Sequence, residues 1–395
     1  MTRPFAFLIS IFILMTFYSS AQKPVLTISW EKIAGVPDAG DAKTSLGLAG
    51  AIIGVNNDLL IVAGGSNFRG KLPWEGGKKV YYDNIFVLEK KGNEYCWKKN
   101  VKSVLPEPVA YCGNASTSSG IVYIGGENEN GISNKCFLLK WNEKGNAVDV
   151  KPLPDLPLRL TNVAVTNIDD IVYAVGGDEQ KNSSKSFFSL DLKDETLRWK
   201  RLPDFPIALA NATAIAQNSK SGEKIFVIGG RSKTPSGISE LHNTLFAFDI
   251  RKNEWKTCAD ISDGEHTTNL SAASGVALGD DEILITGFDN GKIFHQIETL
   301  ISKINDAKTD EEKQELTEEK NNLSIHHKGF DKSLLLYNTN SDAWTKIGEL
   351  SFPAHVTTTA VKWGNDIILS NGEIKPGVRT PDVMMGKISK KENSQ

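Results

Sequence analysis

One short pattern returns four times along the chain: an apolar run that ends in two consecutive glycines. The glycine pairs begin at Gly64, Gly125, Gly176 and Gly229, so successive copies are 61, 51 and 53 residues apart. Weaker copies without the full pair end at Gly287 and Gly372. A repeat of this length is one unit that stacks on copies of itself, because a single unit cannot bury its own apolar face. The chain is therefore predicted to contain six such units.

Two further features recur in these copies. A second apolar run follows the glycines, and most copies close with a tryptophan that has a lysine one or two residues after it. The second runs begin at Asn84, Cys136, Ser186, Thr244, Ser333 and Val383, and the closing tryptophans are Trp97, Trp199, Trp255 and Trp344. A Gly-Gly repeat of about 50 residues is typical of kelch proteins, in which each copy forms one four-stranded blade. The predicted fold class is all-β, a six-bladed kelch β-propeller.

The two ends of the chain carry complementary pieces of this pattern. A Trp-Glu-Lys segment at residues 30–32 has no preceding copy, while the last copy ends near Ile388 without a closing tryptophan. We expect strand 26–33 to complete the last blade and close the ring, since pairing the ends removes open sheet edges. Residues 22–395 are then predicted to form a single propeller.

The first 21 residues have the layout of a cleaved secretory signal peptide. Arg3 is followed by an apolar run from Phe5 to Phe17 and by small residues ahead of Gln22. The apolar run is about 13 residues long, whereas a transmembrane helix needs roughly 20. We therefore expect an exported, periplasmic protein that begins near Gln22 and has no membrane contact after cleavage.

An insertion is predicted in the fifth copy. The step from Gly287 to Gly372 is 85 residues, and the excess falls at 291–330. Apolar residues at helical spacing predict a helix over 293–304, followed by a charged stretch; they are Ile293, Ile297, Leu300, Ile301 and Ile304. The sequence leaves open whether this helix packs on one blade or forms a lid over the channel mouth.

Charge and cysteine content exclude several classes of protein. The chain has 45 basic and 48 acidic residues and a net charge of −3, with basic residues only in short clusters. Nucleic acid is therefore not an expected partner. The cysteines, Cys96, Cys112, Cys136 and Cys258, form no Cys-x-x-Cys pair, so no metal or redox motif is present. One disulfide or four buried thiols both fit this spacing.

We take the strands that end in Gly-Gly as the inner strands of the blades. Polar residues flank these strands. Loops at these strand ends converge on the axial channel of a propeller. Directly after the strands come Ser66, Glu127, Asp178, Arg231, Asp289 and Glu373. Before them come Tyr111, Arg159, Asn162, Asn211, His266, Asn269 and His355.

Two segments exceed what blade building needs: residues 64–83 and the run Asn-Gly-Glu-x-Lys-Pro-Gly-x-Arg-Thr at 371–380. Together they resemble the kelch-type sialic acid mutarotases, also called N-acetylneuraminate epimerases. In that family the Glu-x-Lys-Pro-Gly segment lies well inside the chain, whereas here it lies in the last blade. A circularly permuted branch would explain the difference, because a closed ring tolerates permutation.

The resemblance implies a reaction and a set of residues. The family interconverts the α and β anomers of N-acetylneuraminate, a sugar acid, by acid–base opening and closing of the ring. Glu373 is then the proton acceptor, and Arg379 holds the substrate carboxylate. Further substrate-binding residues are predicted to be Asn67, Arg69, Lys375, Tyr111, Glu127 and Arg231. The reaction calls for no metal, nucleotide or redox cofactor, and the general acid is not identified by the motif.

A different class of function competes with this enzyme. A noncatalytic kelch module that binds glycans or a partner protein needs polar loops but no proton-transfer pair, and the motif at 371–380 distinguishes the two. A sialidase would carry Ser-x-Asp-x-Gly-x-Thr-Trp motifs, and none occurs. A copper radical oxidase needs histidines near the axis, whereas His295, His326 and His327 lie in the insertion.

Overall fold

A computed structural model describes residues 25–40 and 45–391 of the 395-residue chain. The predicted signal peptide lies outside these residues and stays a prediction. Within the described ranges, no helix has the length and apolar character needed to cross a membrane. All four cysteines are unpaired thiols, but only Cys136 is buried and Cys96 is exposed, so the structure has neither the disulfide nor four buried thiols.

The described residues form short antiparallel strands and two α-helices. The strand β1 (Val25–Gly35) comes before the first blade in the chain. The first two blades and their loops contain β2 (Ile52–Asn56), β3 (Leu59–Ala63), β4 (Ser66–Phe68), β5 (Lys79–Tyr81), β6 (Ile85–Lys91), β7 (Glu94–Trp97), β8 (Gly113–Ser116), β9 (Ile121–Ile124), β10 (Glu127–Asn128), β11 (Gly131–Ile132), β12 (Cys136–Asn142) and β13 (Ala147–Leu153). The third and fourth contain β14 (Ala164–Ile168), β15 (Ile171–Val175), β16 (Phe187–Asp191), β17 (Lys200–Arg201), β18 (Thr213–Gln217), β19 (Lys224–Ile228), β20 (Arg231–Ser232), β21 (Glu240–Leu241), β22 (Leu245–Asp249) and β23 (Glu254–Thr257). The last two contain β24 (Ser274–Leu278), β25 (Glu282–Phe288), α1 (Lys292–Asp306), α2 (Asp310–Ile325), β26 (Asp331–Asn338), β27 (Ala343–Glu349), β28 (Ala360–Trp363), β29 (Asp366–Ser370), β30 (Glu373–Lys375), β31 (Val378–Arg379) and β32 (Asp382–Lys391).

These strands build six four-stranded sheets, which confirms the predicted propeller. From the axis outward the sheets are β2-β3-β6-β7, β8-β9-β12-β13, β14-β15-β16-β17, β18-β19-β22-β23, β24-β25-β26-β27 and β28-β29-β32-β1. The innermost strands contact one another around the axis. Apolar side chains of adjacent sheets pack together between the blades, as in the cluster that joins Ile61 of the first blade to Tyr123 of the second.

The sixth blade contains both ends of the described chain. β1 pairs with β32 from Val25 opposite Lys391 to Gly35 opposite Asp382. The sequence predicts a strand over 26–33 at this position, and the observed strand extends a little further at each end. Trp30 packs edge to face on Phe352, with ring centroids 5.5 Å apart. Its ring also covers Gly386, where a Cβ atom would lie 2.8 Å from the indole.

The Gly-Gly strands are not the innermost strands, which corrects the sequence prediction. In each blade the preceding strand lies at the axis, and in the second blade that strand is Gly-Asn-Ala-Ser of β8. A Cβ atom at Gly113 would lie 2.3 Å from Val165 of the next blade. Crowding near the axis therefore selects small side chains in β8, so this strand has no apolar run to recognise.

The glycine pairs join each blade to the next. The first glycine of a pair has a left-handed backbone, as at Gly125 (φ 64°), and a Cβ there would lie 2.2 Å from the Leu160 carbonyl oxygen. The N–H of the second glycine, Gly126, donates to that same oxygen at 2.8 Å. Only glycine permits this approach without strain. The close packing of neighbouring blades thus explains why these positions are glycine.

Six equivalent residues, one per blade, form a closed hydrogen-bonded ring that we call the axial ring. They are Gly50, Tyr111, Asn162, Asn211, Ala272 and Thr357, all with φ between 53° and 63°. Each backbone N–H donates to the carbonyl of the equivalent residue in the preceding blade, at 2.8 to 3.1 Å. The last of these bonds runs from Gly50 to Thr357 and completes the circle.

A buried histidine of the sixth blade makes stability depend on pH. His355 is 2% exposed, and burial lowers its pKa to about 4 although the Asp382 charge opposes the shift. The unfolded chain binds a proton near pH 6.5 and the native state does not, so stability falls as the pH drops from about 6.5 towards 4.

We expect this single group to destabilise the protein by about 2 kcal/mol at about pH 5 relative to pH 7.5. His355→Gln removes the titrating ring. Urea unfolding at the two pH values should therefore show a loss of stability that is smaller by about that amount in the variant. Equal losses in the two proteins would contradict the prediction.

Candidate functional site

The residues that follow the Gly-Gly strands lie together on one face of the ring, which we call the site face. They are Ser66, Glu127, Asp178, Arg231, Asp289 and Glu373. Each forms a backbone bridge to the residue just before the axial ring, as Glu373 does with Val356. The predicted convergence of these loops is therefore present, even though the strands that precede them are second from the axis.

A tight hairpin sets Glu373 opposite Arg379. β30 pairs with β31 so that Glu373 faces Arg379 and Lys375 faces Val378. Pro376 and Gly377 form the turn between them, with Gly377 at φ 79°, as a proline–glycine turn requires. The spacing of six residues in the motif thus brings Glu373 Oε1 to 3.2 Å from Arg379 Nη1.

The Arg379 guanidinium is a buried cation with unused donors. Its side chain is 4% exposed, and its Cζ lies 4.7 Å from the centroid of the Phe68 ring. Nε and Nη1 make no hydrogen bond to any residue that the structure describes, although Nη1 lies 3.2 Å from Glu373 Oε1. Glu373 Oε1 also accepts a hydrogen bond from the Gly377 N–H. A buried guanidinium with free donors is suited to a planar anion such as a carboxylate.

A second charged group, the Lys79 cluster (Lys79, Tyr81, Tyr111 and Glu127), lies at the first and second blades. Lys79 Nζ is 3.2 Å from Glu127 Oε1 and 4.5 Å from the centroid of the Tyr111 ring. The Tyr81 hydroxyl donates to Glu127 Oε1 at 2.9 Å. Burial raises the pKa of Tyr81 to about 12; the Lys79 charge opposes this shift and the Glu127 charge adds to it.

The β4–β5 hairpin connects the two charged groups. Phe68 lies opposite Lys79 in its register, so both side chains project from one surface of the hairpin. Phe68 contacts Arg379, while Lys79 contacts Glu127. The cross-strand pair of Phe68 and Lys79 therefore lies between Arg379 and the rest of the Lys79 cluster.

Asn67 and Arg69 form an internal network beside this hairpin. Asn67 is 2% exposed; its amide donates to the Gly47 carbonyl at 3.0 Å and accepts from the Tyr82 hydroxyl at 2.8 Å. Arg69 Nε donates to the same hydroxyl at 3.0 Å, and Nη2 lies 2.7 Å from Asp38. Both side chains are thus bound to other residues of the protein, and their contact with a substrate stays a prediction.

Arg231 is bound to its neighbour on the site face. Its Nη2 lies 2.7 Å from Asp178 Oδ2, and the Asp178 side chain is 1% exposed. Lys375 lies near His327, which follows α2 in the insertion. Burial lowers the pKa of His327, and the nearby Lys375 charge lowers it further.

The insertion lies over the part of the site face that belongs to blades four to six. Phe294 of α1 is 6.0 Å from the Arg231 guanidinium, and Glu298 accepts hydrogen bonds from the N–H and hydroxyl of Ser239 at 2.7 and 2.9 Å. The predicted helix 293–304 is confirmed within α1. The charged stretch after it forms a second helix, α2, which the sequence did not predict. No residue of α2 is buried, so no apolar stripe was present to indicate it.

The axial channel does not contain these charged groups. This channel of about 380 Å³ begins at the axial ring and is lined by the inner strands. Its walls contain Lys362 but no carboxylate and no arginine. Across the described residues, no three histidine, cysteine, aspartate or glutamate side chains are grouped so as to hold a metal ion. Because proton transfer needs ionisable groups, the site face and not the channel is the candidate site.

Residues 153–394, more than half of the chain, match a family model described as N-acetylneuraminate epimerase. The chain belongs to the N-acetylneuraminate epimerase family. The matched segment contains the Glu373–Arg379 hairpin, Arg231 and Asp289, whereas the Lys79 cluster lies before it. Curated N-acetylneuraminate epimerases are similar to this chain at modest identity.

The relatives include a protein of Haemophilus influenzae strain PittEE, 28% identical over 250 residues that make up 62% of each chain. A protein of Salmonella typhimurium strain LT2 is 26% identical over 246 residues, 62% of this chain and 60% of the relative. The chain thus spans about three fifths of the N-acetylneuraminate epimerases it matches. The solved structure of YjhT superimposes with a TM-score of 0.58 at 15% identity, covering 90% of this chain and 99% of that one, which supports the fold.

Proposed function

We propose that this protein interconverts the α and β anomers of N-acetylneuraminate. The observation that carries the proposal is the Glu373–Arg379 pair, with 3.2 Å between its nearest charged atoms. In this sugar the anomeric carbon bears both a carboxylate and the hydroxyl that must lose its proton. A mutarotase for it therefore needs a carboxylate-binding cation and a base side by side.

Arg379 would bind the substrate carboxylate through Nε and Nη1, which make no hydrogen bond to a described residue although Nη1 is paired by charge with Glu373. The bound carboxylate and Glu373 then lie against the same guanidinium, which places the base beside the anomeric hydroxyl.

The reaction then runs in two mirrored halves. Glu373 takes the proton of the anomeric hydroxyl, the bond between the anomeric carbon and the ring oxygen breaks, and the ring oxygen takes up a proton from an acid. The open-chain keto acid turns the other face of its carbonyl to the freed hydroxyl. Ring closure returns both protons to the groups that held them, so the enzyme ends unchanged.

The names of the relatives support this substrate, and the polar site face supplies further binding groups. The Lys79 cluster and Lys375 provide hydrogen-bond donors for the hydroxyl and acetamido groups of the sugar. A noncatalytic glycan-binding module is the alternative function. It would use the same donors without transferring a proton.

The deciding experiment follows freshly dissolved β-anomer by one-dimensional proton NMR, with and without the protein. We expect the two anomers to reach equilibrium faster in the presence of the protein. N-acetylmannosamine, which has an anomeric hydroxyl but no carboxylate, is the control and should mutarotate at its spontaneous rate. Exchange of N-acetylneuraminate at the spontaneous rate, together with calorimetric binding, would establish the binding module instead.

A further inference from the structure

Asp289 occupies in the fifth blade the position that Glu373 occupies in the sixth. Asp289 exchanges backbone hydrogen bonds with Ser271, both at 2.9 Å, as Glu373 does with Val356 at 2.9 and 3.0 Å. The next residues of the axial ring, Ala272 and Thr357, are hydrogen-bonded to each other at 3.1 Å. The two carboxyl groups therefore belong to neighbouring positions on the site face.

The surroundings of these two carboxyl groups differ. Of the four acidic residues on the site face, three are paired with a cation: Glu127 with Lys79, Asp178 with Arg231 and Glu373 with Arg379. Asp289 forms no ion pair with any described residue, since Arg231 on its other side is bound to Asp178. It accepts one hydrogen bond, from the Gly291 N–H at 2.8 Å.

The insertion adds to this difference because it starts beside Asp289. Helix α1 begins at Lys292, three residues after Asp289, and Lys292 makes no ion pair with it among the described residues. Burial raises the pKa of Asp289 and the negative charge of Glu373 raises it further, while the Gly291 N–H opposes both. A carboxyl group whose pKa is raised above that of an ordinary aspartate is suited to the role of general acid.

We infer that Asp289 is the general acid that protonates the ring oxygen of the sugar while Glu373 acts as the base, an inference that rests on the proposed function. The proton leaves the Asp289 carboxyl as the bond between the anomeric carbon and the ring oxygen breaks, and the bond electrons become a lone pair on that oxygen. Asp289 is left as a carboxylate. On closure it takes the proton back from the attacking hydroxyl, so charge and atoms balance over the cycle.

The test compares the pH dependence of anomer exchange in the unmodified protein, Asp289→Asn and Asp280→Asn. Asp280 is exposed in the turn between β24 and β25 of the same blade and serves as the matched control. Asparagine retains the acceptor for Gly291 and an N–H donor for the ring oxygen, so we expect Asp289→Asn to lower kcat only about tenfold, with KM within about twofold. The decline of activity at high pH, which reports the acid, should be absent from this variant and present in the control.

Two results would overturn the inference while leaving the proposed function intact. One is a normal rate and a normal high-pH decline in Asp289→Asn. The other is loss of that decline in Tyr81→Phe instead, which would make the Lys79 cluster the source of the proton. Failure of the unmodified protein to accelerate exchange would instead overturn the proposed function, and this assignment with it.

A measurement without turnover guards against misfolding of the variant. Carboxyl carbon NMR of protein labelled at aspartate follows the titration of Asp289 directly, with the Asp289→Asn spectrum used to assign the signal. In Glu373→Gln the neighbouring negative charge is gone, so the pKa of Asp289 should fall relative to the unmodified protein. An unchanged pKa would show that the two carboxyl groups do not interact and would contradict the assignment.

Discussion

Glu373→Gln is expected to lower kcat for anomer exchange at least about 100-fold with little change in KM. Glutamine keeps the size of the side chain and an acceptor for the Gly377 N–H, but it cannot take up a proton. The substrate carboxylate still finds Arg379, so binding remains. Exchange rates measured by NMR over a range of substrate concentrations separate the two parameters.

Glu240→Gln is the matched control for this experiment. Glu240 is exposed on β21, so its substitution should leave exchange unchanged. Near-normal exchange in Glu373→Gln would show that another carboxyl group of the site face takes the proton, and Glu127 and Asp178 would then be examined in the same way.

Arg379→Lys is expected to weaken substrate binding about 10-fold to 100-fold and to change kcat less. Lysine keeps the positive charge beside Glu373 but loses the planar fork that binds two carboxylate oxygens at once. It also loses the flat contact with the Phe68 ring. Calorimetry with N-acetylneuraminate gives the affinity directly.

The methyl ester of N-acetylneuraminate distinguishes a carboxylate contact from a general loss of packing. The ester lacks the charge that Arg379 recognises, so its affinity should differ little between the unmodified protein and Arg379→Lys. Arg201→Lys, on the surface of the third blade and paired with Asp204, should bind both ligands normally. Unchanged affinity of Arg379→Lys for N-acetylneuraminate would remove Arg379 from the binding site.

The blades can be predicted because the glycine pairs recur at a regular spacing. Each pair is needed where a neighbouring blade approaches too closely for a side chain. The position of the inner strands was not predictable in the same way. Small residues such as those of β8 give no apolar period, and their selection by crowding becomes visible only when the neighbouring blade is present. Helix α2 was missed for a related reason, since a fully exposed helix needs no apolar stripe.

The contacts of the candidate site also differ in whether a local sequence pattern predicts them. That Glu373 faces Arg379 follows from the Pro376-Gly377 turn, which is local and can be inferred from the motif. The link from Lys79 to Glu127 joins two blades and is 48 residues long in sequence, so no local pattern encodes it. The isolation of Asp289 depends on which cations its neighbours have already taken, and that information exists only in three dimensions.

The axial ring has a consequence for how the protein is made. Five of its hydrogen bonds join blades that are consecutive in the chain, but the sixth joins Gly50 to Thr357, 307 residues later. The first blade therefore leaves the ribosome long before its neighbour on one side exists, and β1 has no strand to pair with until β32 has been synthesised. Contacts of such long sequence separation form slowly, because a large loop must close before they contribute any stability. Until β32 has been synthesised, β1 is therefore unpaired and the first blade is uncovered on one side. Formation of the sixth blade pairs β1 and covers the first blade in one step.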